Sequence, residues 1–185
     1  MKPALLILAT STLATSLTLP HLLRPTKQIT MTSSQHIADI LPLTKRINIF
    51  ASLTRDIEPI SDRLSSPDRN TTVLAPTNSA LTALPRKPWE NPADYDSMGT
   101  EAYAGDDGQK RAYENLAKFV SAHVVPASPW EQGKKVRTLA GGEVWWEEDR
   151  QGTKRVMPGG VEVLEIGKQV GNGEVWVLKD ALNYA

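Results

Sequence analysis

Apolar residues fall three or four positions apart in the first half of the chain and alternate in the last third, so the pattern predicts helices first and hairpins later. Helical spacing begins at Ile37, with Ile40 and Leu41 on one face, and Pro42 interrupts it. Ile47, Phe50, Leu53 and Ile57 carry it on to Pro59, and Ile60 and Leu64 add a further turn. Polar residues 65–70 lead into Thr71 to Ala75, a β-branched and apolar run that reads as a buried strand. Pro76 has no N–H for a ladder and ends it. Thr77 or Asn78 then caps a helix over Ser79 to Leu84, closed by Pro85.

Residues 86–108 show no period, and the pattern predicts a surface loop pinned by Trp89, with a binding loop as the alternative. Lys110 to Val125 predicts an amphipathic helix with Ala112, Leu116, Phe119, Val120 and His123 on one face, ended by Pro126. Beyond it, Lys135 to Leu139 and Glu143 to Glu148 flank a Gly141-Gly142 turn, Thr153 to Met157 and Val161 to Ile166 flank Pro158-Gly159-Gly160, and Glu174 to Lys179 follows Gly171-Asn172-Gly173. Helices followed by hairpins give an α+β class rather than alternating βαβ units.

Four segments in this order, Thr72 to Ala80, His123 to Pro126, Thr138 to Gly142 and Asn172 to Asp180, resemble the fasciclin-like (FAS1) domain family over roughly residues 35 to 185. The resemblance implies a compact wedge of β-strands covered by several α-helices. It gives Thr72, Ala75, Pro76, Thr77, Asn78, His123, Gly141 and Gly142 as motif positions with mainly structural roles. It also implies a non-enzymatic, adhesion-type module that meets a protein or glycan partner. The family's Tyr-His pair, linked to cell adhesion, is Ala122-His123 here, so the aromatic is missing.

Composition narrows the classes. The 185 residues carry no cysteine, which removes disulfides, thiol nucleophiles and Cys-based zinc sites. Lys plus Arg and Asp plus Glu both number 21, a balance that offers no general attraction to nucleic acid or an anionic membrane. The start is basic at Lys2, then apolar from Ala4 to Ala9 and raggedly to Leu19, with small residues near Ala14 and Ser16. It reads as a cleaved signal peptide over 1–18, followed by a disordered linker over 19–35 and one domain over 36–185. The run is too short and too broken for a membrane span. The expected location is the secretory pathway, in a vacuole or at the cell surface. The alternative is a mitochondrial presequence, since no acidic residue precedes Asp39 and Arg24 and Lys27 follow the apolar run.

Candidate chemistry is sparse, and no catalytic, cofactor or metal residue is assigned. His123 lacks a recognisable nucleophile or orienting carboxylate, and reads as a buried imidazole bonded to backbone or hydroxyl near the Pro76-Thr77-Asn78 turn. His21, His36 and His123 are too scattered for a three-histidine metal site. Glu143, Glu147, Glu148 and Asp149 lie beside Trp145 and Trp146, and paired carboxylates with indole faces suit a carbohydrate-binding protein or a hydrolase, the alternative function. Adjacent strand residues face opposite ways, so one of these tryptophans belongs to the core. The glycines at 141–142 and 159–160 lack phosphate-loop spacing. Asn70-Thr71-Thr72 is an N-glycosylation sequon.

Overall fold

A computed structural model describes residues 35–183; the expected leader, most of the linker and His21 lie outside them. Short helices come first: α1 (Ile37–Ile40), α2 (Asn48–Arg55) and α3 (Glu58–Ser65). Strand β1 (Thr71–Pro76) follows, then α4 (Asn78–Ala83), α5 (Pro92–Met98) and the long α6 (Gly105–Ala122). The remaining strands are β2 (Val124–Val125), β3 (Val136–Arg137), β4 (Glu143–Glu148), β5 (Lys154–Met157), β6 (Val161–Ile166) and β7 (Gly173–Leu178). They form one sheet in the order β2-β1-β7-β6-β5-β4-β3, antiparallel except for the parallel β1–β7 pair. Leu139 N–H donates to Val124 O (3.0 Å) and Ala140 N–H to Ser121 O (3.3 Å), so the far end of the sheet curls back toward β2 in a nearly closed barrel. The class is α+β, as the order of the periodicities predicts.

β1 is buried along its whole length because it lies between two strands and between two cores. Val73 and Ala75 face the helices and pack with Phe50, Phe119 and Val120; Leu74 faces the barrel interior with Trp130, Trp146 and Trp176. β7 divides its residues the same way, Val175 and Val177 to the helices and Trp176 and Leu178 inward. Burying a ring such as Phe119 contributes about 2–3 kcal/mol.

Three expectations are corrected. Val124 and Val125 continue no helix: His123 (φ −98°, ψ 9°) closes α6, and the two β-branched residues pair with Val73 and Thr72. Residues 86–108 are not one loop, for Asn91 caps α5 by accepting from Ala93 N–H (3.1 Å), Gly99 to Tyr103 form a 3-10 turn, and α6 already begins at Gly105. Trp89 does not pin this excursion, being 39% exposed; the pin is Tyr103, as described below.

Candidate functional site

The motif residues of the β1–α4 junction hold the chain together. Thr72 Oγ donates to Ala127 O (2.7 Å), and Ala75 is fully buried. Pro76 ends the strand as the partner of Leu178. Thr77 Oγ1 caps α4 by accepting from Ala80 N–H (3.2 Å) and donates to Lys179 O (3.3 Å). Asn78 Oδ1 accepts from Ile49 N–H (3.1 Å) and its Nδ2 donates to Lys45 O (2.9 Å), tying α2 to α4. Gly141 takes φ 91° in the β3–β4 turn, with Gly142 beside it accepting from Thr138 N–H (2.8 Å).

His123 is fully buried between the rings of Phe119 (4.5 Å between centroids) and Phe50 (5.5 Å). Its Nε2 accepts from Leu182 N–H (3.0 Å), which leaves Nδ1 as the protonated nitrogen that donates to Phe119 O (2.8 Å). Burial pushes its pKa down to about 4, since the charged ring would lose its water, and the bond to Phe119 O offsets little of this. The ring partner expected at the Pro76-Thr77-Asn78 turn is instead the segment beyond β7. It is the His123 carbonyl that touches β1, accepting from Leu74 N–H (2.8 Å). Both ring nitrogens are engaged by main chain, so the imidazole is a strut and no base.

The acidic-aromatic strand divides as its alternation predicts. Trp146 is buried and donates its indole N–H to Trp130 O (2.9 Å), whereas Trp145 is half-buried and donates to Glu147 Oε1 (2.8 Å). Lys135 Nζ lies 4.7 Å from the Trp145 ring centre and 2.9 Å from Glu143 Oε1. Asp149 is turned into its own hairpin, where the N–H groups of Thr153 and Gln151 and then the Arg155 guanidinium hold its carboxyl below the usual range. The Trp145 ring is thus met by Lys135, and the Asp149 carboxyl is committed to its hairpin and to Arg155, so this strand offers no free carboxylate pair beside an open indole face. Among the described residues no group of His, Asp and Glu is placed to hold a metal ion, and no helix is long and apolar enough to cross a membrane.

Asn70 is exposed just ahead of β1, and its carbonyl accepts from the Arg63 guanidinium (3.1 Å). The hydroxyl of its sequon threonine, Thr72, is sealed against Ala127 O.

The open concavity lies elsewhere. A cleft of about 610 Å³ runs between residues 84–92, the C-terminal half of α6 and residues 181–183. Its rim is set by a polar knot: Tyr103 OH donates to Asp94 Oδ2 (2.8 Å) and accepts from Asn91 N–H (2.6 Å). The Asn115 amide lies within bonding distance of Asp94 Oδ2 (2.9 Å), Trp89 O (3.1 Å) and Tyr103 OH (3.1 Å). The Asn115 and Tyr103 bonds hold the Asp94 carboxyl low, while burial and then Asp94 push the Tyr103 phenol up. Arg86, Lys118 and Leu182 line the same cleft. None of these stands out in the sequence. The available signal was Asn91-Pro92, an N-cap followed by a first-turn proline.

The sequence model of the Fasciclin domain matches residues 45–183. The chain belongs to the Fasciclin (FAS1) domain family. This FAS1 chain is 54% identical over 152 residues to a FAS1 domain-containing protein of Neurospora crassa, covering 82% of this chain and 66% of that protein. It is 51% identical over 150 residues to one of Aspergillus fumigatus, covering 80% and 63%. It is 50% identical over 148 residues to one of Emericella nidulans, covering 80% and 61%. The chain thus spans somewhat under two thirds of the length of these curated relatives. The FAS1 fold itself is supported by a solved FAS1 domain pair from the insect cell adhesion molecule Fasciclin I, with a TM-score of 0.53 at 12% identity over 80% of this chain and 51% of that one.

Proposed function

We propose that this FAS1 domain is a non-enzymatic, adhesion-type interaction module of the secretory pathway. The observation that carries the reading is the engagement of its candidate acid-base groups. His123 is spent on two main-chain bonds, Asp149 on its own hairpin and on Arg155, and Glu147 accepts from the Trp145 indole. An open cleft remains, and it suits holding a protein or glycan better than transforming one. Beads coated with the chain are expected to bind one another or cell-surface preparations. Turnover on an ester and polysaccharide panel that Glu147→Gln abolishes would overturn the reading.

The location rests on the apolar start of the chain. Sequencing the N-terminus of the mature protein is expected to find the leader removed near residue 18, and intact Met1 on cytosolic protein would defeat this. On that reading Asn70 carries a glycan that is added before β1 closes, because folding buries the Thr72 hydroxyl that the sequon needs. Glycosidase treatment is expected to increase gel mobility, and Asn70→Gln to remove that increase.

A further inference from the structure

Among the described residues regular structure ends at Leu178, and residues 179–183 belong to no helix or strand. They still form one wall of the open cleft, through Ala181, Leu182 and Asn183, and Leu182 and Asn183 also line a smaller recess of about 370 Å³. We propose that residues 180–183 are a strap that His123 latches in place, and that protonation of the imidazole in acid releases the strap and reshapes the cleft. The inference goes beyond the interaction-module reading, for it concerns how the wall of the cleft is held and needs no particular ligand.

Two ties of different kind hold this segment. At its start, Lys179 N–H donates to Glu162 O (2.9 Å) and Thr77 Oγ1 donates to Lys179 O (3.3 Å). These are main-chain and hydroxyl groups, which do not titrate. Further on, Leu182 N–H donates to His123 Nε2 (3.0 Å), and the Leu182 side chain is buried in the barrel cluster with Trp130 and Trp176. This second tie ends on a ring nitrogen that does titrate.

Nε2 can hold Leu182 only while it carries no proton. Nδ1 already donates to Phe119 O (2.8 Å), so an added proton goes to Nε2 and sets two donors against each other across 3.0 Å. The new charge also finds no counter-charge. α2 presents Phe50, α6 presents Phe119, the strap presents Leu182, and β1 meets the residue through the Leu74 amide. No charged side chain acts on the ring: Arg55 of α2, Lys118 of α6, and Lys179 and Asp180 at the start of the segment are exposed, and β1 carries none. Parting from the strap removes the clash of donors and lets water reach Nε2.

Proton linkage sets the size of the effect. With the strap latched, burial holds the ring at about 4; with the strap gone and the ring hydrated, it returns toward the ordinary 6.5. The latch is therefore complete above pH 6.5 and weakens as pH falls toward 4. From pH 7 to pH 5 the ratio of released to latched strap rises by up to about 20-fold.

Amide hydrogen exchange of the full chain at pH 7 and pH 5, corrected for intrinsic rates, tests this. The Leu182 amide is expected to lose protection by up to about 20-fold. The Leu74 amide, which donates to the His123 carbonyl, is expected to keep its protection. His123→Gln, whose side-chain oxygen can accept from Leu182 N–H at either pH, is expected to abolish the difference. Should that variant fail to fold, His21→Gln with His36→Gln takes its place: it leaves His123 as the one histidine of the chain, and the full pH effect is expected to remain. A change at Leu182 below about threefold would overturn the proposal. So would a pH effect that survives in folded His123→Gln, or one that vanishes in the double variant. Loss of protection at Leu74 in step with Leu182 would overturn it as well, since the whole domain would then be opening rather than the strap.

Discussion

Two polar-rich regions of this domain use their side chains in opposite ways. At the closed end, Asn172 is fully buried: its Oδ1 accepts from Ile37 N–H (2.9 Å), and its Nδ2 donates to Leu64 O (2.8 Å) and Ser66 O (3.0 Å). With His123 it joins segments that are 59 to 135 residues apart in the chain. At the open end, Asp94, Tyr103 and Asn115 bond chiefly to one another at the surface, and Arg86 and Lys118 face solvent. Buried polar groups must be satisfied inside the protein, so the first set is locked to backbone and has no freedom left for chemistry. Exposed groups can exchange water for a partner at little cost, so the second set shapes a cleft that remains usable.

The sharpest break of this contrast is at Gly173. Its φ is 142°, and a Cβ there would meet Thr71 O at 1.8 Å, within the parallel β1–β7 pair. Gly173→Ala is expected to cost more than about 4 kcal/mol or to abolish folding, read by denaturant melts. Asn172→Ala leaves the buried Ile37 N–H and Leu64 O and the half-buried Ser66 O without this partner and is expected to cost about 3 kcal/mol.

His123 comes next. His123→Ala removes ring packing and strands the Leu182 N–H, an expected loss of about 2–3 kcal/mol at pH 7, and an unchanged midpoint would refute the strut. The pH dependence has a definite sign. The folded-state pKa of about 4 lies below the ordinary 6.5, so the folded protein binds fewer protons than the unfolded chain in that window. The contribution is complete above pH 6.5 and declines as pH falls toward 4, by roughly 3 kcal/mol in total. His123→Gln is expected to flatten that slope.

At the open end the effects shrink. Tyr103→Phe is expected to lower global stability by no more than about 1 kcal/mol, while limited proteolysis within residues 86–103 becomes faster. A globally destabilised Tyr103→Phe would erase the distinction between the two regions. Glu147→Gln, on the exposed strand face, is expected to shift the melt by under about 0.5 kcal/mol.

How far each region was legible follows from the range of its interactions. β4 and β6 stand where strand alternation and glycine turns placed them, because a hairpin's register is local. The inward Trp146 and outward Trp145 follow from the same two-residue period. The apolar spacing of Val124 and Val125 suits either a helix face or a strand, and only pairing with β1 decides between them. Asn172 read as a turn residue because its partners are remote. The cleft was invisible because Arg86, Asn115 and Lys118 meet only once α6 packs beside the excursion and the segment beyond β7.

The sequence by itself determined the α+β class, the β1–α4 junction, the hairpins and the burial of His123, since each depends on period, turn chemistry or capping within a few residues. The tertiary structure alone decided which backbone groups His123 and Asn172 would satisfy and where a concave surface would remain. Those outcomes depend on contacts between segments far apart in the chain, and a buried donor or acceptor takes whichever partner the packing brings within bonding distance.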